Sequence, residues 1–295
     1  MELGAAQLAD RDGWWMFGHV GIARAQNVMP KGLRRPYAVL LCGIEVWDPS
    51  LAPDRKKALK SATSRIAISK FTADLVAAAH PDVGRISVCP LALLPRDGEL
   101  TVYDRDIVAQ VAQPSLLIAG RMSGAERYKG HDELLECWPI VLHHLPKAQL
   151  VIVGRGDDTE RLRAKAGELG IAGSVLFTGF VSDATLEAVR KRVNAFALPS
   201  RGEGFGLVYL EAMRAGLPCI GGVEDAARDV IVDGKTGLLV DPRNGAELAL
   251  SVLRLLQSPE LSAIYGAAGK RRFEEVFTFQ RYCERLRTVL ESDLT

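Results

Sequence analysis

Residues 200–216 read Ser-Arg-Gly-Glu-Gly-Phe-Gly-Leu-Val-Tyr-Leu-Glu-Ala-Met-Arg-Ala-Gly. Gly202, Gly204 and Gly206 crowd the first half, where regular helix is unfavourable and a ligand can approach backbone that carries no Cβ atoms. From Leu207 the residues are good helix formers until Gly216, a C′ stop followed by Pro218, so the spacing predicts a helix of about nine residues. The unpaired amides and positive dipole end at such a glycine-rich start suit a phosphate or diphosphate. Glu203 lies before the helix and Glu211 within it, roughly 8–12 Å apart at the helical rise per residue, which leaves room for a diphosphate between them. On a helical wheel Glu211 and Arg214 form a narrow polar strip on an otherwise apolar helix, so the helix is buried and the carboxylate needs a partner. The plainer reading pairs Glu211 with Arg214 at i,i+3 on the one solvated edge. The glycine spacing does not fit the dinucleotide fingerprint, since no glycine follows Gly206 until Gly216.

The chain around this stretch is of ordinary globular composition. Its 295 residues, 48% hydrophobic and 25% charged, suffice for two domains. A net charge of +1, without a run of five like charges, gives no electrostatic footprint for nucleic acid. Cys42, Cys89, Cys137, Cys219 and Cys283 are scattered and odd in number, with no C-x-x-C pair. That pattern suits a reducing cytoplasm rather than a disulfide framework or a zinc site. The first eleven residues lack the basic start and apolar core of a signal peptide, and no apolar run approaches the roughly 20 residues of a membrane span.

Ahead of the glycine-rich stretch, strands at 14–20, 37–42, 65–69 and 85–89 alternate with helices at 22–29, 54–62 and 72–79. This alternation predicts a parallel sheet with functional loops at the carboxyl ends of its strands, where His19, Cys42 and Ser69 fall. Residues 91–113, with Pro95 and Asp97-Gly98, read as a linker. Strands follow at 115–120, 149–153, 175–178, 194–198, 217–220 and 236–240. Asp157-Asp158 sit where the next helix needs an N-cap and an acidic first turn, a better fit than a metal pair short of oxygen ligands. His143-His144 read as surface or capping residues. Helices at 246–257 and 259–268 precede an amphipathic helix at 271–291, whose apolar stripe is Phe273, Val276, Phe277, Tyr282, Leu286 and Leu290.

Glu203 and Glu211 framing Gly204-Phe205-Gly206, then Glu211-Ala212-Met213 with Gly216 and Pro218, resemble the donor-site signature of the family-four retaining glycosyltransferases. Gly120-Arg121, Lys129-Gly130, Val151-Ile152-Val153-Gly154, Phe177-Thr178-Gly179-Phe180-Val181 and Asp233-Gly234-Lys235-Thr236-Gly237 follow in the family's order. The resemblance implies an α/β fold of the GT-B type, two Rossmann-like parallel-sheet domains of which the first is incomplete. Residues 1–111 would be a partial acceptor-side domain and linker, 112–275 the nucleotide-sugar donor domain, and 276–295 a helix crossing back to the first domain. The family's opening strand and glycine-rich loop have no counterpart before Trp14, which implies an unpaired sheet edge.

The same resemblance assigns the site. Donor contacts fall on Arg121, Lys129, Phe180, Val181, Glu203, Gly204, Phe205, Gly206, Leu207, Val208 and Glu211. Arg121, Lys129 and the amides of residues 206–208 would stabilise the departing diphosphate. Glu203 would hold hydroxyls of the donor sugar and Glu211 the nucleotide ribose, while Phe180 and Val181 border the base. His19 matches a histidine that faces the donor sugar, so the catalytic set is Glu203, Lys129, Arg121 and His19; the plainer reading of His19 is a hydrogen-bonded structural residue. Cys42-Gly43-Ile44-Glu45 matches the family's His-Gly-x-Glu with cysteine in place of histidine.

The activity implied is retaining, metal-independent hexosyl transfer from a UDP- or GDP-linked sugar, with no cofactor, to a glycan, lipid-linked or small-molecule acceptor in polysaccharide or glycoconjugate biosynthesis. The expected location is cytoplasmic, peripheral to the inner face of the membrane, with no nucleic-acid partner. The alternatives are a nucleotide-sugar-binding subunit without transfer activity, completed by a missing N-terminal segment or a partner chain, and an enzyme that epimerises or hydrolyses a nucleotide sugar.

Overall fold

The computed structural model describes residues 13–96, 98 and 102–294. The N-terminal segment read above for its lack of a signal peptide, and Asp97 of the expected linker, lie outside the described residues. The chain divides into two compact units, one made of the residues up to Leu91 together with those from Phe279 onward, the other of Ala92–Thr278.

The first unit is built on a parallel sheet of β1 (Trp15–Phe17), β2 (Tyr37–Leu41), β3 (Ser64–Ala67) and β4 (Ser87–Val88), in that order. Alternation along β2 sends Val39 and Leu41 to one face, into a core with Val20, Val46, Leu59 and Val76. Ala38 and Ile66 face the other side, with Cys89, where Tyr282, Leu286, Val289 and Leu290 of the helix Phe279–Leu294 cover them. Asp293 on that helix accepts hydrogen bonds from Ser64 Oγ at 2.5 Å and Ser87 Oγ at 3.2 Å. The expected helix over 22–29 is instead four residues, Val20–Ala23, followed by a 3-10 turn, Arg24–Asn27. It begins early because His19 caps it.

The second unit holds β5 (Ser115–Ala119), β6 (Gln149–Val153), β7 (Val175–Gly179), β8 (Ala195–Leu198), β9 (Cys219–Gly222) and β10 (Gly237–Val240). Every pairing is parallel, in the order β10-β9-β8-β5-β6-β7. The central strands are buried along their length, and this is why they read as continuous apolar runs rather than alternating ones. The chain leaves β5 toward β6 on one side and returns with β8 on the other, a topological switch point whose crevice is a ready ligand site.

Two further sequence expectations give way. The 91–113 stretch is not a plain linker: Arg105–Ala109 is helical, capped by Asp104, whose Oδ1 accepts from the amides of Asp106 and Ile107, both at 3.0 Å. The amide of Asp104 in turn donates to Thr185 Oγ1 at 3.0 Å. The helix expected over 271–291 is also divided. One helix runs Pro259–Val276 and a second begins at Phe279. Phe277 breaks the run to bury its ring, 6.0 Å edge-on from that of Phe205, while its carbonyl accepts the Leu93 amide at 3.3 Å. The apolar stripe is thus split between the two units, with Phe273 and Phe277 in one and Tyr282, Leu286 and Leu290 in the other.

Placing a charge on the helix face that covers β2 and β3 should expose this division. Leu286→Asp is expected to destabilise the first unit by on the order of 3 kcal/mol. In hydrogen exchange, amides of β2 and β3 should quicken while those of β5 and β6 hold; equal acceleration in both sheets would contradict separate cores.

Candidate functional site

Strands β5, β6 and β7 each run out onto a glycine: Gly120, Gly154 and Gly179. The amide of Gly120 donates to Val153 O at 3.0 Å, and that of Gly154 to Gly179 O at 2.9 Å. A Cβ on Gly154 would lie 1.9 Å from the Gly120 carbonyl oxygen, so this close passage requires glycine. Over these strand ends opens a cavity of about 450 Å3, lined by Gly120, Arg121, Gly154, Arg155, Phe180, Val181, Asp183, Leu186, Val208 and Glu211 among others. Its far wall is the first two turns of the helix Leu207–Arg214.

That helix starts at Gly206, whose φ of +85° is left-handed, and a Cβ there would meet Tyr209 Cδ2 at 2.5 Å. Tyr209 is fully buried, edge-on to Phe196 at 5.9 Å, and its hydroxyl donates to Leu198 O at 2.5 Å. Helix geometry leaves the first-turn amides of Leu207 and Val208 without intrahelical acceptors, and the dipole's positive end lies beside them. The helix ends as expected at Gly216, with φ +79°, after eight residues rather than about nine.

Of the residues expected at the site, Arg121, Phe180, Val181, Val208 and Glu211 share the cavity. Phe180 is 72% exposed, its ring 5.2 Å from the guanidinium of Arg155. Leu207 is exposed at the helix start, whereas Phe205 is buried against Phe277, so a ligand passing it meets its backbone. Lys129 ends a 3-10 turn, Gly124–Lys129. Both cations converge on Glu126: Arg121 by two bonds, 2.8 and 2.5 Å, and Lys129 at 3.2 Å. The bidentate Arg121 fork holds Glu126 below the usual carboxylate range, with Lys129 adding to it against the opposing effect of burial.

Glu203 sits in the glycine-rich loop. Burial pushes its carboxyl up, Lys129 pulls the other way, and Glu126 adds to the rise. Its amide donates to Asp225 Oδ2 at 3.2 Å, and its carbonyl accepts from the Ala226 amide at 3.1 Å. Asp225 also takes the Ala227 amide, at 2.9 Å on Oδ1, so one wholly buried carboxyl ties the loop to the chain after β9.

Glu211 does not pair with Arg214. Its Oε2 is held by Arg190 Nη2, from the last turn of the helix Asp183–Arg190. Asp158 occupies the N-cap position of the helix Thr159–Glu168, yet its side chain makes no capping bond. It pairs instead with Arg127 at 3.0 Å and Arg161 at 2.6 Å, and Asp157 Oδ1 accepts the Gly124 amide at 3.0 Å. Strong guanidinium partners outcompete a backbone amide for a buried carboxylate.

His19 lies in the other unit, just beyond β1, its Nδ1 accepting from the Gly21 amide at 2.8 Å. Cys42 likewise belongs there; burial, with Glu45 adding to it, pushes its thiol up to about 11. Its amide donates to Glu45 Oε1 at 2.6 Å, the backbone contact that Cys-Gly-x-Glu spacing allows. Arg155, Asp183, Glu126, Arg190 and Asp225 were not singled out from sequence. Arg155 stood in what reads alone as a turn. Arg190 and Asp225 went unmarked because the site residues they hold, Glu211 and Glu203, are 21 and 22 residues away in the chain, whereas Glu126, five residues from Arg121 and at i,i+3 to Lys129, did carry a local signal.

The Asp225 carboxyl, pushed up to about 7 by burial against the pull of its amide partners, yields a pH dependence. The folded state favours its neutral form, so its contribution to stability is complete below the ordinary value of 3.8 and is lost as pH rises through about 7. The difference in melting temperature between Asp225→Asn and the parent should therefore shift in favour of the asparagine form between pH 4 and 8. A difference that stays flat across that range would remove the buried-charge account.

A family model described as "Glycosyl transferases group 1" matches residues 105–272. The GDP-mannose-dependent alpha-(1-6)-phosphatidylinositol monomannoside mannosyltransferase of Mycobacterium tuberculosis is 35% identical over 172 residues, 56% of this chain and 45% of its own length. The phosphatidyl-myo-inositol mannosyltransferase of Mycobacterium leprae is 34% identical over 227 residues, 71% of this chain and 59% of its own. The chain thus spans about half the length of these curated relatives. Among solved structures, sucrose-phosphate synthase from Thermosynechococcus elongatus superposes with a TM-score of 0.76 at 20% identity, over 95% of this chain and 73% of that one, a likeness of fold. Two parallel-sheet units of four and six strands fit the GT-B architecture. With the family model covering more than half of its length and the sheet order and glycine-rich site in agreement, this chain belongs to the group 1 glycosyl transferases, the family-four resemblance read from its sequence.

Proposed function

We propose that the Ala92–Thr278 unit binds a nucleoside diphosphate sugar and serves hexosyl transfer with retention of configuration, to a lipid-linked acceptor at a membrane surface. The observation that carries this reading is the cavity at the ends of β5–β7, which meets the amino end of the helix Leu207–Arg214, with the carboxylates Asp183 and Glu211 on its lining. The names of the two mycobacterial relatives supply the substrate class: GDP-mannose for one, phosphatidylinositol acceptors for both. No helix among the described residues is long and apolar enough to cross a membrane.

The roles follow from chemistry. Cleavage of the bond to the anomeric carbon leaves negative charge on the diphosphate, and preorganised cations and amides stabilise it without reorganising. The amides of Leu207 and Val208 face one side of that charge, Arg121 and Lys129 the other. Phe180 and Arg155 offer the base a flat hydrophobic face backed by a cation. Glu211 accepts ribose hydroxyls, and Glu203, half-hidden in the loop, accepts hydroxyls of the sugar. Retention is assigned to front-face attack, with the leaving phosphate taking the acceptor's proton. His19 is proposed as a further catalytic residue, on the family resemblance.

Glu126 pairs with both cations, so it competes with a diphosphate for them. Lys129→Ala should weaken calorimetric binding of GDP or UDP by about 1.5–3 kcal/mol, the range for hydrogen bonds to charged groups. Glu126→Gln, which frees Arg121 and Lys129, should strengthen it. Unchanged affinity in the lysine variant, or weaker binding in the glutamine one, would sink this assignment of the cations.

Glycoside formation distinguishes transfer from binding alone. With GDP-mannose as donor and a phosphatidylinositol acceptor in vesicles, the expected product is a mannosylated lipid. Glu203→Ala should abolish it while sparing GDP affinity, and GDP affinity lost in equal measure from Glu203→Ala and Glu211→Ala would contradict their separate roles.

A further inference from the structure

Around Glu211 lies a line of alternating charges that the sequence does not announce. Arg190 is 2% exposed, and its two terminal nitrogens reach two carboxylates: Nη2 to Glu211 Oε2, and Nη1 to Glu187 Oε2 at 3.5 Å. Glu187 Oε2 is 2.9 Å from Arg96 Nη1. The line runs from Arg96, on the approach to the helix Arg105–Ala109, through the helix Asp183–Arg190 to the cavity wall. Three elements distant in sequence thus meet in one chain of contacts. Arg214, half-buried nearby, adds a third guanidinium to two carboxylates, and burial pulls it below its ordinary range. Against the upward push of burial, Arg96 together with Arg190 and Arg214 holds Glu187 below the usual carboxylate range.

A guanidinium buried to this degree is costly unless paired, and an ion pair in such a place adds little stability over an apolar pair of the same volume. What it supplies is geometry. Arg190 fixes one oxygen of Glu211, and among the described residues no donor is bonded to the other, Oε1. A carboxylate tethered by one oxygen keeps its second in a set direction, with its rotamer entropy already lost before the ligand arrives. We infer that Arg190 is a positioning residue: backed by Glu187 and Arg96, it holds the Glu211 carboxylate so that Oε1 accepts from a ribose hydroxyl of the bound nucleotide. This rests on the ribose reading of Glu211 and adds the device that aims it.

Calorimetry on the full chain tests the inference, with GDP and UDP as probes and, for the tighter of the two, its 2′,3′-dideoxy form. The parent should prefer the ribose form. Arg190→Gln should weaken that form on the order of tenfold, the loss of one well-aimed charge-assisted hydrogen bond, and leave the dideoxy form unchanged. In a Glu211→Gln background the same substitution should add nothing further, since the two act through one contact. Arg96→Ala, at the exposed end of the line, should give the same selectivity change in smaller degree, and keeps the test decisive if Arg190→Gln folds poorly. Ribose preference retained in both variants, equal losses for both nucleotides, or additive losses in the double variant would overturn the positioning role alone. A parent that binds the two forms equally would overturn the ribose reading and this inference with it.

Discussion

Tyr209 carries its ring beneath Gly206 and its hydroxyl to the carbonyl of Leu198, and the position of the site's helix depends on that pair of contacts. The ring leaves no space for a Cβ at Gly206, so the chain turns there through a left-handed glycine. The hydroxyl ties the helix to the end of β8, on one side of the switch point. Helix start and strand end are thereby set against each other from within the core, and the amides that would meet a diphosphate inherit their direction from buried contacts rather than from the loop itself.

The loop is held by a second buried group. Asp225 reaches back from the chain after β9 to the amide of Glu203, and burial favours the neutral form of its carboxyl near the pH at which most enzymes work. Glycine supplies the openness of the site, and side chains behind it supply its rigidity. The division is physically necessary, because a run of glycines has the greatest conformational freedom to lose and needs external anchors to keep one shape.

Charge is arranged with the same economy. Glu126 gathers Arg121 and Lys129, which keeps two like charges close together. Arg190 does the corresponding work for Glu211. Arg121, Lys129 and Glu211 each have an internal counterpart, and each pairing sets a threshold the ligand has to exceed.

What the sequence determined by itself was periodic or local. Apolar runs of four or five residues alternating with helices specified parallel sheets, and Gly206 and Gly216 bracketed a helix within one residue of its observed length, because glycine conformations act over one or two residues. The donor-site motifs, each a few residues long and in family order, marked Arg121, Phe180, Val181, Val208 and Glu211, which do line one cavity. The tertiary structure decided the pairings that cross from one element to another, such as Glu211–Arg190 and Asp158–Arg127. Glu211 had Arg214 one turn away and chose Arg190, 21 residues before it in the chain; Asp158 stood at an N-cap and turned to Arg127 and Arg161. The last apolar stripe looked like one helix face and was shared between two cores, with the break at Phe277, whose ring is buried beside Phe205. Spacing along a chain reports which groups are close when only a helix or a strand separates them, whereas the partners of a buried charge or a buried ring are set by which segments the folded sheet brings together.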